Sequence, residues 1–170
     1  LTAVVLSRFA SPRMVKLLKP AVQLLAGIPS VVYGCFGLVV VVPLTTGRGS
    51  MLAACIILGI MILPTIISVS ESSLNAVESS YYEGALALGA THEHAVFTVV
   101  LPAAKSGVLA AVILGVGRAI GEAMAVIMVA GNQPRMPQGL LKGLRTLTTN
   151  IVMEMGYSAD LHREALIATA

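Results

Sequence analysis

Three long apolar runs constrain this chain more than any other feature. They cover residues 21–42, 51–69 and 103–130, and Arg118 and Glu122 are the only charges well inside any of them. A helix needs about 20 apolar residues to cross the hydrocarbon core of a bilayer, so each run is long enough to span. The expected fold class is all-α, a polytopic transmembrane helical bundle. Apolar residues make up 56% of the chain, charged residues 11%, and mean hydropathy is +0.90. A soluble domain carries about twice that charge fraction. No repeat or low-complexity tract divides the sequence, so one membrane domain over 1–170 is expected.

The two ends read as pieces of further spans. Leu1–Leu6 is apolar but too short to cross, and Ala165–Ala170 looks like a span just beginning. An internal fragment of a longer membrane protein is therefore expected. Leu1–Leu6 has neither the charged start nor the cleavage motif of a signal peptide.

Charge sets the orientation. Arg8, Arg13, Lys16 and Lys19 precede the first run with no acidic residue among them, while the turn Thr45–Ser50 carries only Arg48. The positive-inside rule puts the four-charge loop in the cytoplasm. Alternation then puts Arg48 outside, residues 70–102 inside and 131–162 outside. Pro134 and Pro137 break the outer segment early, and Leu140–Glu154 reads as a short helix or a re-entrant piece.

Several classes of function are excluded. A net charge of +3, scattered, with no basic patch interleaved with aromatics, argues against nucleic acid. There is no Trp, which leaves Tyr33, Tyr81, Tyr82 and Tyr157 as interface anchors. Cys35 and Cys55 fall inside apolar segments and read as small hydrophobes, with no disulfide and no metal site. His92-Glu93-His94 lacks the spacing for ligands on one helix face and reads as solvated loop, and His162 reads as a polar flank. No Walker A motif and no nucleophile elbow occurs, so neither an enzyme nor an ATPase is expected.

Two features point to transport. Ile28-Pro29-Ser30, Tyr33-Gly34 and Gly37 interrupt the first run. A proline removes a backbone hydrogen bond, which suits either a kink used for packing or a helix lining a path. Arg118 and Glu122 are four residues apart and so share one helix face. An ionisable residue at that depth costs roughly 3 kcal/mol and normally faces a bundle interior or an aqueous route. The guanidinium suits an oxyanion, and a carboxylate accepts only from a group that carries a proton, as phosphate does at neutral pH and sulfate does not. The alternative is a structural salt bridge. Gly117 and Gly121, with Gly107, Ala111 and Gly115 before them, form small-residue spacings that allow close helix approach, and imply a partner helix.

The most informative stretch is Glu83-Gly84-Ala85-Leu86-Ala87-Leu88-Gly89, followed after nine residues by Val99-Val100-Leu101-Pro102. Gly89 is suited to end one short helix in a left-handed conformation, Thr91 to cap a second, and Pro102 to a helix start. Tyr81 and Tyr82 precede it and suit a partner's groove. This stretch resembles the EAA loop of bacterial ABC importer permeases, with Gly84 in place of the first Ala and Val99 in place of Ile. Leu25–Gly34, Gly115–Val126, Arg145–Ile151 and Glu154–Tyr157 resemble the third span, fifth span and outer loop of phosphate-specific ABC permeases of the PstC type.

The resemblance implies a MetI-like bundle with a cytoplasmic coupling helix, in a subunit of a phosphate importer in the bacterial inner membrane. This chain would hold the third to fifth of six spans. Tyr82, Glu83, Gly84, Ala85, Gly89, Leu101 and Pro102 would belong to the ATPase-docking loop, and Arg118, Glu122 and Ser30 to the phosphate path. The implied partners are a PstA-type permease, an ABC ATPase dimer and a periplasmic phosphate-binding protein, with inorganic phosphate as cargo and membrane lipid around the bundle. No cofactor would be bound by this chain, because ATP and Mg would act on the ATPase. The rival readings are a molybdate or sulfate permease, an ATP-independent channel or secondary transporter, and a purely structural membrane subunit.

Overall fold

The computed structural model describes residues 1–45, 47–136 and 138–169. Thr46, Pro137 and Ala170, which belong to the expected turn, outer-segment break and final span, lie outside the described residues. Twelve α-helices follow in chain order among the described residues: α1 Thr2–Val4, α2 Pro12–Gly27, α3 Ser30–Phe36, α4 Val42–Thr45, α5 Met51–Asn75, α6 Ser79–Ala87, α7 His92–Ala95, α8 Leu101–Ala103, α9 Lys105–Gly121, α10 Met124–Val129, α11 Leu147–Met155 and α12 Asp160–Ala168. No strand occurs among these residues. The chain is membrane-type all-α.

The expected spans are more broken than their apolar runs suggest. Among the described residues only α5, with a mean hydropathy of 2.6 over its best window, is by itself long and apolar enough to cross. The count rises to 3 if α2 with Ser30–Thr45, and His92–Ala103 with α9, are each taken as one span. Proline explains much of this. The π turns Gly37–Val41 and Val96–Val100 each precede by two residues a proline that continues the helical run (Pro43 and Pro102), while the π turn Val5–Phe9 ends in extended backbone at Ala10. A proline ring clashes with the carbonyl four residues back, and a widened turn moves that carbonyl away. Pro102 thus sits not where a helix starts from coil but late in a helical run that begins at His92, just before a 65° bend into α9. Pro29, at the N-cap of α3 with ψ 140°, marks the break in the first run.

The described residues group into two compact units, one from 1–27 and 62–117, the other from 28–61 and 118–169. In the first, Ala3, Val4, Leu74, Val96, Val100 and Ala104 form the buried core. The helix α9 presents small residues inward and large ones outward. Ala111 and Gly115 are buried while Leu109, Val112, Ile113 and Leu114 are exposed. A Cβ on Gly115 would meet Ile66 of α5 at 2.6 Å, and one on Gly107 would run into Ser73. The close-packing stripe within this chain is therefore Gly107-Ala111-Gly115, while Gly117 and Gly121 have nothing of this chain within 4 Å. This inside-out pattern suits lipid, where apolar side chains lose nothing by facing outward and backbones gain by close approach.

In the second unit, Tyr33, Val41 and Val42 pack with Ile57 and Met61 of α5 and with Ala125, Val126 and Val129 of α10. Gly34 does not interrupt the helix as expected, and the helical run continues through Gly37 as a π turn. They let it approach its neighbours: a Cβ on Gly34 would meet Met128 Sδ at 2.7 Å, and one on Gly37 would meet Val129 Cγ1 at 2.6 Å. Cys35 and Cys55 are exposed rather than buried, because they lie on the outward faces of α3 and α5.

The outer segment closes over the start of α5. The N–H groups of Ser50, Met51 and Leu52 donate to the carbonyls of Val129, Lys142 and Leu140 at 2.8–3.0 Å. Gly49, Gly131 and Gly143 make room for this: a Cβ on Gly49 would lie 2.5 Å from the Gly131 nitrogen. Only Leu147–Met155 of the expected 140–154 element is helical, started by Thr146, whose hydroxyl accepts the Thr149 N–H. Arg145 donates to the Asn132 carbonyl at 3.3 Å and to Asn150 and Glu154 at 3.1 Å each, bracing the loop against α11.

Candidate functional site

The candidate coupling element lies wholly within the first unit. Helix α6 ends at Ala87, and Gly89 follows with φ +88°. The N–H of Gly89 donates to the Leu86 carbonyl at 2.9 Å and that of Ala90 to the Ala85 carbonyl at 3.1 Å, so orphan carbonyls at the helix end are satisfied by a glycine in the left-handed region. Thr91 then starts α7, its hydroxyl accepting the His94 N–H at 3.3 Å. The two helices and the bend expected from the spacing are present. A Cβ on Gly84 or Gly89 would meet nothing within 4 Å, so the outer side of this element is open.

Side chains divide between the two sides of α6. Glu83, Gly84, Leu86 and Leu88 are exposed, Leu88 by 91%, while Ala85 is half-buried. Leu101 packs against the core and Pro102 is exposed. Tyr81 is exposed, but Tyr82 packs against the core and turns its hydroxyl inward to His92 Nδ1 at 2.6 Å. His92 is exposed, as expected of a solvated residue, and is also the junction of a small network. Its Nε2 lies 3.1 Å from the Arg8 carbonyl, and its ring stands edge-on to Phe9 with centroids 4.9 Å apart. Spacing within 92–94 gave no sign of this, since the partners are 84 and 10 residues away.

At the same end of this unit two of the four basic residues, Arg8 and Lys19, are engaged. The Arg8 guanidinium donates to the Leu74 carbonyl at 3.0 Å and lies over the Tyr82 ring, 5.8 Å from its centroid. Ser7 donates to Asn75 Oδ1 at 2.6 Å. Lys19 pairs with Glu71 at 2.9 Å, where the Glu71 side chain is 7% exposed.

The second unit holds Ser30, Arg118 and Glu122. Ser30 is half-buried at the first position of α3, and Arg118 is exposed in the last turn of α9. Glu122 does not share a helix with Arg118 as expected. The helix stops at Gly121, Glu122 and Ala123 are non-helical, and α10 starts at Met124. A glycine at the end of one apolar helix favours that stop, and the acid then serves the restart. Glu122 Oε1 accepts the Ala125 N–H at 3.1 Å, and the Glu122 carbonyl accepts the Thr148 hydroxyl at 3.4 Å. Both faces of the break are thus satisfied by side chains, which a break in an apolar helix requires. Glu122 also lines a cleft of about 280 Å³ with Leu58, Ala119, Ile120, Val126 and Thr146–Thr148. No cluster of metal-binding side chains occurs among the described residues.

The chain is similar to known proteins over most of its length. The YqgH protein of Bacillus subtilis (strain 168), a probable ABC transporter permease, is 46% identical over 149 residues, covering 84% of this chain and 48% of that protein. The phosphate transport system permease protein PstC of Xylella fastidiosa (strain 9a5c) is 35% identical over 173 residues, 86% of this chain and 53% of that protein. The PstC protein of Haemophilus influenzae (strain ATCC 51907 / DSM 11121 / KW20 / Rd) is 31% identical over 191 aligned residues, 97% of this chain and 60% of that protein. The chain spans about half the length of the curated relatives it matches. The family model for the binding-protein-dependent transport system inner membrane component matches residues 1–169, and with its apolar helices and bent α6–α7 element the chain belongs to that family.

Proposed function

We propose that this chain is the membrane-spanning part of a permease subunit in an ATP-driven importer of inorganic phosphate. The observation that carries the reading is the α6–Gly89–α7 element, whose outer side is open and carries Glu83, Gly84 and Leu88. An exposed helix bent by a left-handed glycine is a rigid shape for a partner's groove. The chain has no nucleotide-binding motif, so the energy comes from a separate ATPase dimer, which uses ATP and Mg and docks on this element. A second, PstA-type permease completes the path, and a periplasmic phosphate-binding protein delivers the ion. The basic residues Arg8, Arg13, Lys16 and Lys19, in the π turn Val5–Phe9 and the first turns of α2, favour the cytoplasmic side of the bacterial inner membrane for this end and for α6 by the positive-inside rule.

Phosphate is favoured by the names of the PstC relatives and by Arg118 with Glu122. The guanidinium offers paired donors to an oxyanion. The second carboxylate oxygen of Glu122 remains to accept from a P–OH, a donor that sulfate lacks. Ser30 adds a hydroxyl at a helix start.

The test is ATP-dependent uptake of phosphate, sulfate and molybdate by the full-length subunit in its complete complex. Phosphate uptake is expected, with loss in Arg118→Ala and Glu122→Gln while the ATPase still co-purifies. Gly89→Asp is expected to lose uptake while the subunit stays inserted. Uptake of sulfate or molybdate instead of phosphate overturns the substrate, and normal uptake in Gly89→Asp overturns the docking role.

A further inference from the structure

We infer that His92 is the positioning residue of the coupling element, a joint that holds α6 to the π turn Val5–Phe9 and, through Arg8, to the end of α5, so that movement of one carries the others. The inference rests on the proposed docking role of α6. It concerns how that helix is connected rather than what it binds.

The chemistry of the joint follows from its partners. A backbone carbonyl can only accept, so His92 Nε2 carries the proton and donates to the Arg8 oxygen at 3.1 Å. The other ring nitrogen shares a hydrogen bond with the Tyr82 hydroxyl at 2.6 Å, in which a hydroxyl can serve as donor or acceptor. One imidazole thereby bridges α6 to the end of the first helical run. That run ends in the π turn Val5–Phe9, and a helix end leaves carbonyls without intrahelical partners. His92 satisfies one of them. Arg8 repeats the device one step on, with its guanidinium donating to the Leu74 carbonyl in the last turn of α5.

Packing stiffens these bonds. Phe9 stands edge-on to His92, and Tyr82 does the same from 5.7 Å with an interplanar angle of 83°. The Arg8 cation lies over the Tyr82 ring. Arg8 is therefore the shared partner: its carbonyl meets His92, its guanidinium meets Leu74 of α5 and the Tyr82 ring, and α6 has no fully buried residue of its own. A helix held so lightly by burial takes its orientation from directional bonds.

The experiment uses the full-length subunit in its complete complex, with Cys35 and Cys55 replaced and spin labels at Ser80→Cys and Lys16→Cys, both exposed positions of this unit. The distance distribution between the labels is expected to be narrow in the otherwise unaltered complex. It is expected to broaden in His92→Ala and in Tyr82→Phe, which keeps the ring and loses only the hydroxyl. His92→Gln, whose amide offers an N–H and an acceptor, is expected to narrow it again. Phosphate moved per ATP is expected to fall severalfold in His92→Ala, on the order of the weight of a net hydrogen bond or more, and to recover in His92→Gln. An unchanged label distribution in His92→Ala and Tyr82→Phe overturns the joint. So does an unchanged transport ratio with a broadened distribution, since the helix orientation would then not matter. A complex that moves no phosphate at all overturns the substrate reading alone, because the label distances still decide the joint.

Discussion

Replacing Glu122 by glutamine and by alanine separates its two candidate roles. The carboxylate caps the restart of the helix at Ala125, 3.1 Å away, and the side chain is half-buried. Alanine removes the acceptor and leaves the Ala125 N–H without a partner, at a cost of roughly 2 kcal/mol, within the range for an orphaned buried donor. Glutamine keeps a carbonyl oxygen at the same reach and loses only the charge assistance, about 1 kcal/mol. The difference of about 1 kcal/mol is roughly fivefold in the unfolding equilibrium. The assay is reversible unfolding of the purified full-length subunit by titration from mild detergent into SDS, followed by helicity. Glu122→Ala is expected to unfold at a lower SDS fraction than Glu122→Gln, which lies about midway between it and the unaltered protein. Equal destabilisation of the two, or none in Glu122→Ala, refutes the capping argument. Loss of uptake in the more stable glutamine variant then isolates the role of the charge in the path.

Three further outcomes test the packing. Gly49→Ala drives a methyl to within 2.6 Å of the Gly131 backbone and is expected to cost about 3 kcal/mol, the upper part of the overpacking range, in the same SDS titration. Gly59→Ala meets nothing within 4 Å and is expected to gain about 0.5 kcal/mol from helix propensity, so equal effects at 49 and 59 refute the close approach. Lys19→Met leaves the Glu71 carboxylate with only the Asn75 amide at 3.4 Å; the expected loss is about 1–2 kcal/mol because Lys19 is 45% exposed, and Glu71→Gln is expected to recover part of it. Arg145→Ala removes three donated bonds and is expected to make the 140–146 loop sensitive to protease in the complete complex while Arg145→Lys protects only in part.

The apolar runs alone determined the helical membrane class, because a long uncharged segment leaves its backbone few alternatives in lipid. The bend at Gly89 and the cap at Thr91 were equally legible, since both are local: a left-handed glycine and a capping hydroxyl act within four residues of themselves. Longer-range features were not legible. Arg118 and Glu122 read as one helix face because spacing assumes an unbroken helix, and only the fold showed that the helix stops at Gly121 and that Glu122 serves the restart. The glycines at 34 and 37 read as interruptions, yet they are close approaches whose partners, Met128 and Val129, lie some ninety residues on. His92 read as loop surface because its neighbours in sequence say nothing of Arg8. Local conformation is written in short windows of sequence, whereas the partner of a hydrogen bond or a methyl-sized gap is chosen by which distant segments the chain brings together, and that choice belongs to the tertiary structure.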